Sequence, residues 1–151
     1  MSGPLPEPPG RDDLGFLLAK ATQRWNELLA ERFAAAGYSD VRPSYGSVLL
    51  PLFEEDGLRM GELARRARLS KQTMTEMVRR IERDGLVERR ADPSDGRASL
   101  IFLTARSHAF EPIAAGILSE LDRSVRRRLD DEHVEELKTA LRELLSLGGH
   151  T

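Results

Sequence analysis

The stretch KQTMTEMVRRIERDGLVERRADPSDGRASLIFLT, residues 71–104, changes its period part-way along. Up to Arg83 the apolar residues Met74, Met77, Val78 and Ile81 fall at i, i+3, i+4 and i+7, the spacing of one helical face. At about 100° per residue, Gln72, Glu76, Arg79 and Arg83 lie on the opposite side, flanked by Thr73, Thr75 and Arg80. Gly85 supplies a carboxyl-terminal stop. Beyond it LVERR (86–90) and SLIFLT (99–104) read as short strands. The turn formers of ADPSDGRA between them make the second half a β-hairpin.

Immediately upstream, RMGELARRARLS (59–70) places Leu63, Ala64 and Ala67 on one side of a short helix. Ala67-Arg68-Leu69-Ser70 is a tight connection, and Ser70 is a natural cap for the next helix. Two short helices, the second with a polar face, followed by a hairpin, make a winged helix-turn-helix. The helix-turn-helix is expected over 59–84 and the wing over 86–104.

Helical periods flank this unit. Leu14, Leu17, Leu18, Ala21, Trp25, Leu28, Leu29 and Phe33 form one stripe that ends at Gly37. A second apolar segment, 48–53, follows Pro43 and Ser44, good residues for a helix start, and Pro51 inside it predicts a kink. After Thr104, an expected N-cap, a long stripe through Phe110, Ile113, Ala114, Ile117, Leu118, Leu121 and Val125 runs to Leu129, with Pro112 predicting a bend or a frayed first turn. A last helix from about Asp131 to Leu147 carries Val134, Leu137, Leu141 and Leu144 at 3-4-3 spacing, a seam like that of a coiled coil. The fold class is mainly α with a small β-hairpin wing (α+β), in one domain over 11–147. The segment 1–10, MSGPLPEPPG, reads as a disordered leader.

The 151 residues are enough for one hydrophobic core, and 40% hydrophobic with 32% charged residues is a globular composition. No apolar run approaches the roughly 18 residues of a membrane span, and the amino terminus lacks the basic start and apolar block of a secretory signal. Without cysteine there is no disulfide, thiolate metal site or thiol switch, which fits a cytoplasmic location. His108, His133 and His150 are too scattered to bind metal, and no cofactor is expected. No nucleophile elbow, phosphate-cradling glycine loop or metal cluster supports an enzyme. The net charge of −2 conceals an asymmetry: residues 59–106 hold twelve basic against seven acidic side chains, so the middle of the chain suits an anionic partner.

In detail, RMGELARRARLSKQTMTEMVRRIERDGLVERRADPSDGRASLIFLT resembles the DNA-binding core of the MarR family of transcriptional regulators. The resemblance rests on ELA in the first helix, the small polar start of the second, RDGLVERR, and DPSDGRA closed by Leu103 and Thr104. Asp95, Gly96 and Arg97 match the family's D-x-R wing signature. Ser107 stands where the family commonly has glycine. The resemblance implies a ligand-responsive repressor of palindromic double-stranded DNA. It also implies a homodimer built from intertwined helices, here 11–36 and 105–147, whose half-sites lie about 10 base pairs apart.

Chemistry assigns the DNA contacts. Gln72 suits adenine, Arg79 guanine and Glu76 cytosine, while Thr75 can touch a thymine methyl. Ser70, Lys71 and Thr73 lie at a helix start that favours phosphate. Arg80, Arg83, Arg89 and Arg90 are assigned to phosphates, which set affinity and salt dependence rather than sequence choice. Arg97 at the wing tip fits a narrow minor groove, with Asp95 expected to hold its guanidinium in a charge-assisted pair. The resemblance further implies a small aromatic or anionic effector, for which Trp25, Tyr38, Arg42, Tyr45 and His108 are the candidate residues. A winged-helix module for protein contacts without DNA is the competing reading, and the basic middle and Arg97 argue against it.

Overall fold

The computed structural model describes residues 3–148, so His150 and the first two residues of the expected leader lie outside the described residues. In chain order the elements are α1 (Leu14–Ala35), a 3-10 turn (Pro43–Tyr45), α2 (Gly46–Glu54), β1 (Leu58–Arg59), α3 (Met60–Ala67), α4 (Lys71–Arg83), β2 (Val87–Asp92), β3 (Asp95–Leu103) and α5 (Ala105–Leu145). The chain divides into two compact units, residues 1–111 and 112–151. No helix is long and apolar enough to cross a membrane among the described residues.

The first unit contains the winged helix-turn-helix. Its core joins Val48, Leu49 and Leu52 of α2, Leu63 and Ala64 of α3, and Met74, Val78 and Ile81 of α4 with Leu58, Val87, Ile101 and Leu103 of the sheet, all buried. The stripe expected on α4 is thus the face that packs. Burying such side chains stabilises the unit by about 1.5–3 kcal/mol each before the entropy of ordering them is counted. Phe33 and Tyr38 extend this core against Phe110, with ring centroids 4.9 Å apart in both pairs.

Two helix ends explain how the chain turns between elements. Ser70 caps α4, its Oγ accepting from the Thr73 amide at 3.1 Å. At the other end Gly85 has φ +75°; its amide donates to Glu82 O at 3.0 Å and the Leu86 amide to Ile81 O at 3.1 Å. That paired arrangement satisfies the last carbonyls of α4 and delivers Leu86 buried into the sheet. The α3–α4 connection uses the same device with Arg68 in the left-handed conformation (φ 57°), which costs a non-glycine residue about 1–2 kcal/mol.

The sheet has three antiparallel strands in the order β1-β3-β2, one more than the expected hairpin. Two-residue β1 pairs Leu58 with Ile101 and Arg59 with Leu100, too short a segment to show alternation. The strands β2 and β3 are longer than expected, and the turn is Pro93-Ser94 alone, with Asp92 opposite Asp95 and a bulge at Ala91/Asp92. Arg97 therefore sits on β3, beside the turn and not at its tip.

Proline leaves both of its helices intact: α2 runs through Pro51 to Glu54, and α5 through Pro112. Thr104 Oγ1 accepts from the Ser107 amide at 3.4 Å and donates to Gly85 O at 2.7 Å. Ser107 is fully buried and its hydroxyl donates to Leu86 O, which a glycine could not do.

In the second unit α5 breaks at Asp130 (φ 63°, ψ 168°), the point at which the sequence pattern changes stripe. Asp130 Oδ1 accepts from the His133 amide at 2.9 Å and so caps the following arm. Of that arm's seam Val134 is buried, but Leu137 and Leu141 are exposed in the single chain. On α1 likewise, Leu29 and Phe33 are buried while Leu14 and Leu17, from the same expected stripe, are exposed.

Candidate nucleic-acid interface

Lys71, Gln72, Thr73, Glu76, Arg79, Arg80 and Arg83 are all exposed on α4, as is Ser70 before it, while Thr75 is half-buried. Two of the hydroxyls have partners inside the helix: Thr75 Oγ1 donates to Lys71 O at 2.8 Å, and Ser70 Oγ donates to Thr73 Oγ1 at 2.8 Å. Arg79, Arg80 and Arg83 line a shallow groove of about 520 Å³ together with Glu76 and Glu82.

Ion pairing sorts the basic residues of 59–106 into two groups. Arg65 and Arg66 of α3 are bound to Glu62, and Arg66 also to Glu55. These two guanidiniums hold the Glu62 carboxyl down to about 2. Arg89 donates to Glu82 at 3.2 Å, Arg90 to Glu88 at 2.5 Å, and Arg106 to Asp40 at 2.5 Å. Arg90 also covers the Phe102 ring at 4.3 Å. By contrast Lys71, Arg79, Arg80, Arg83 and Arg97 have no ion pair or hydrogen bond through their side chains among the described residues. Four of these five cations project from α4 and the fifth from the wing. Arg89 and Arg90, expected to be free for phosphates, are instead engaged with carboxylates of their own chain.

The wing departs from expectation in how it is held. Asp95 does not grip the Arg97 guanidinium; its Oδ1 accepts from the Arg97 backbone amide at 3.1 Å, which shapes the strand start and leaves the guanidinium unpaired. The carboxylate that organises the hairpin is Asp92, buried, accepting from the Ser94 amide at 2.9 Å and the Ser94 hydroxyl at 2.8 Å. Across β3, Arg59 donates to Asp92 at 2.8 and 2.5 Å and ties the hairpin to β1. The Ser94 bonds, followed by Arg59, push the Asp92 carboxyl below its ordinary value. Asp-Pro-Ser is a side-chain turn signature, so Asp92 was within reach of the sequence; its partner Arg59, 33 residues away, was not.

The orientation of α4 has a second anchor. Tyr45 is buried, and its hydroxyl donates to Asp84 at the end of α4 at 2.5 Å. Burial, and then this carboxylate, push the phenol up to about 12. A residue expected to line an effector site therefore braces the reading helix. Of the other effector candidates, Tyr38 is half-buried against Phe110 beneath Arg106, Trp25 is half-buried, and Arg42 and His108 are exposed, with His108 Nε2 3.8 Å from Asp56.

An exposed cationic helix, preceded by a capped turn and followed by a braced hairpin, has relatives of known type. Residues 43–99 match the model described as "MarR family". The chain is 36% identical over 93 residues to the HTH-type transcriptional repressor Mb2911 of Mycobacterium bovis, covering 62% of this chain and 67% of that protein. The chain belongs to the MarR family. The transcriptional regulator HosA of Escherichia coli O111:H- is 28% identical over 130 residues, 86% of this chain and 90% of the relative. A probable transcriptional regulator from Pseudomonas aeruginosa superposes with a TM-score of 0.76 at 28% identity, over 88% of this chain and 97% of that one. As a MarR-type winged-helix protein the chain is a DNA-binding transcriptional regulator and not an enzyme.

Proposed function

We propose that two copies of this chain bind a palindromic duplex operator, placing one α4 in the major groove of each half-site, and that the protein acts as a cytoplasmic repressor. The observation that carries this reading is the clustering of unpaired cations on α4 and at Arg97, whereas Arg59, Arg65, Arg66, Arg89, Arg90 and Arg106 are each bound to a carboxylate. A phosphate meeting Arg79, Arg80 or Arg83 displaces no internal partner, whereas one meeting Arg65 must compete with Glu62. Gln72 and Arg79 carry base contacts, Ser70, Lys71 and Thr73 serve the phosphate at the helix start, and Arg97 enters the minor groove. A relative named as a repressor supports the sign of regulation.

The second copy is supported by apolar surface. Leu14 and Leu17 on α1, and Leu137 and Leu141 on α5, are exposed in the single chain at positions that the helical stripes mark for packing, and Phe16 and Leu145 are exposed beside them. Response to a small aromatic or anionic effector rests on the family resemblance, and release of the operator by aromatic acids tests it. The decisive experiment is a gel shift at low salt with random and self-upstream duplexes. Binding that weakens steeply with salt is expected, by a factor of about 10³ or more between 50 and 200 mM for six or more phosphate contacts. No binding at low salt defeats the reading.

A further inference from the structure

Glu76 lies on the exposed face of α4, next to Arg83. At about 100° per residue it lies opposite the buried stripe of Met74, Val78 and Ile81, with Arg80 to one side and Gln72, Arg79 and Arg83 to the other. Its carboxylate is exposed and has neither ion pair nor hydrogen bond among the described residues, although three arginines line the same groove. The other acid of α4, Glu82, is bound by Arg89. An outward position on a helix that meets a polyanion is thus an unneutralised anion. For affinity alone that is the wrong residue, because phosphates on both sides of the groove repel it.

We infer that Glu76 is a specificity-determining residue that requires cytosine at the base it faces. This inference rests on the proposal that α4 enters the major groove. A carboxylate offers acceptors only. Guanine presents the acceptors N7 and O6 in that groove and thymine presents O4, so either base leaves the anion desolvated beside like partial charge. Adenine offers the N6 amino group, but its N7 acceptor lies next to it, against the second carboxylate oxygen. Cytosine offers the N4 amino group beside a C–H and satisfies Glu76 without an opposing acceptor. The residue therefore works chiefly by exclusion: it lowers affinity for every duplex and restores it where cytosine is present. Arg79, about 4.5 Å further along the helix axis, is placed to take a guanine in a neighbouring base pair, with which the cytosine would form a C- and G-containing step.

The test is selection of binders from a randomised duplex library by the full-length wild type, Glu76→Ala and Glu76→Gln, followed by anisotropy titrations on the selected sequences. The wild type is expected to enrich cytosine at one position of each half-site, and replacing it with another base should weaken binding about tenfold or more. Glu76→Ala is expected to lose that preference and to bind random duplex more tightly than the wild type. Glu76→Gln is expected to move the preference from cytosine to adenine, whose N6 and N7 suit an amide. An unchanged base preference in Glu76→Ala overturns the inference. So does loss of random-duplex binding by a Glu76→Ala protein with a wild-type circular dichroism melt, because removing an anion cannot weaken attraction to phosphate. A wild type that binds no duplex at low salt fails earlier, at the groove assignment itself.

Discussion

The exposed arginines of α4 and Arg126 of α5 are the same side chain in opposite situations. Arg79, Arg80 and Arg83 have no carboxylate partner. Arg126 has three, donating to Asp122 at 2.7 Å, Glu135 at 2.8 Å and Asp131 at 3.2 Å, so that one guanidinium joins the two arms of α5 across the break at Asp130. Composition cannot tell these arginines apart, and neither can exposure alone, since Arg65 is exposed and fully engaged. The difference lies in the acids that each local sequence supplies. KQTMTEMVRRIER holds two acids, Glu76, which does not pair, and Glu82, which is taken by Arg89, whereas DRSVRRRLDDEHVEE surrounds Arg126 with carboxylates one helical turn away or just past the break. An engaged cation is structural, and a vacant one is available to a ligand.

Removing the vacant cations should cost the protein most. Replacing Arg79, Arg83 and Arg97 together with alanine should lower duplex affinity about a hundredfold or more near 0.1 M salt, at about 1–3 kcal/mol for each specific contact. It should also flatten the slope of log K against log salt by about 0.9 for each phosphate that the protein no longer neutralises. The matching triple replacement of Arg65, Arg66 and Arg106, each bound to a carboxylate, should leave both quantities nearly unchanged. Equal losses in the two triples, measured by anisotropy, would show that ion pairing does not sort the surface.

The brace at the base of the reading helix acts on stability instead. Tyr45→Phe removes the hydroxyl that donates to Asp84 and should cost about 1–3 kcal/mol of stability, as for other hydrogen bonds to charged groups. The sign with pH follows from a phenol raised from 10.0 to about 12. Its contribution is complete below pH 10 and disappears as the pH rises through 12. The difference in Tm between wild type and Tyr45→Phe should therefore be constant from neutrality to about pH 10 and close above it. A gap that stays open beyond about pH 12 would mean that the hydroxyl is not the cause.

Periodicity made the reading helix legible, because burial follows spacing directly: Met74, Val78 and Ile81 are all fully buried. The caps at Ser70 and Gly85 were legible for the same local reason, being short-range backbone chemistry. What spacing could not reveal was pairing at long range. The strand β1 is two residues long and exists because β3 supplies its partner. The Arg59–Asp92 and Tyr45–Asp84 bonds span 33 and 39 residues. The Asp95 carboxylate went to a backbone amide two residues away, nearer than the flexible Arg97 guanidinium assigned to it. The candidate DNA surface was therefore legible as a set of residues, and which arginines within it are free was legible only in three dimensions.

At the break in α5 every charge is solvent-exposed to some degree, and screening keeps each contribution small. Arg126 holds the Asp122 and Glu135 carboxyls below their ordinary values of 3.8 and 4.5. That contribution is present above about pH 4.5 and fades as the pH falls through the lowered values. His133 runs the other way. Its Nδ1 lies 3.0 Å from Asp130, whose carboxylate raises the imidazole above 6.5, so its contribution is complete below pH 6.5 and fades as the pH climbs through the raised value. Both are complete between about pH 4.5 and 6.5, and there the break is held most firmly. Accordingly, Arg126→Met should lower the melting temperature at about pH 7, by a margin that shrinks as the pH falls below 3.8. His133→Ala should lower it at about pH 5.5, by a margin that shrinks as the pH climbs above 6.5. Neither should alter the salt dependence of DNA binding if Arg126, unlike the arginines of α4, is fully occupied by its own chain.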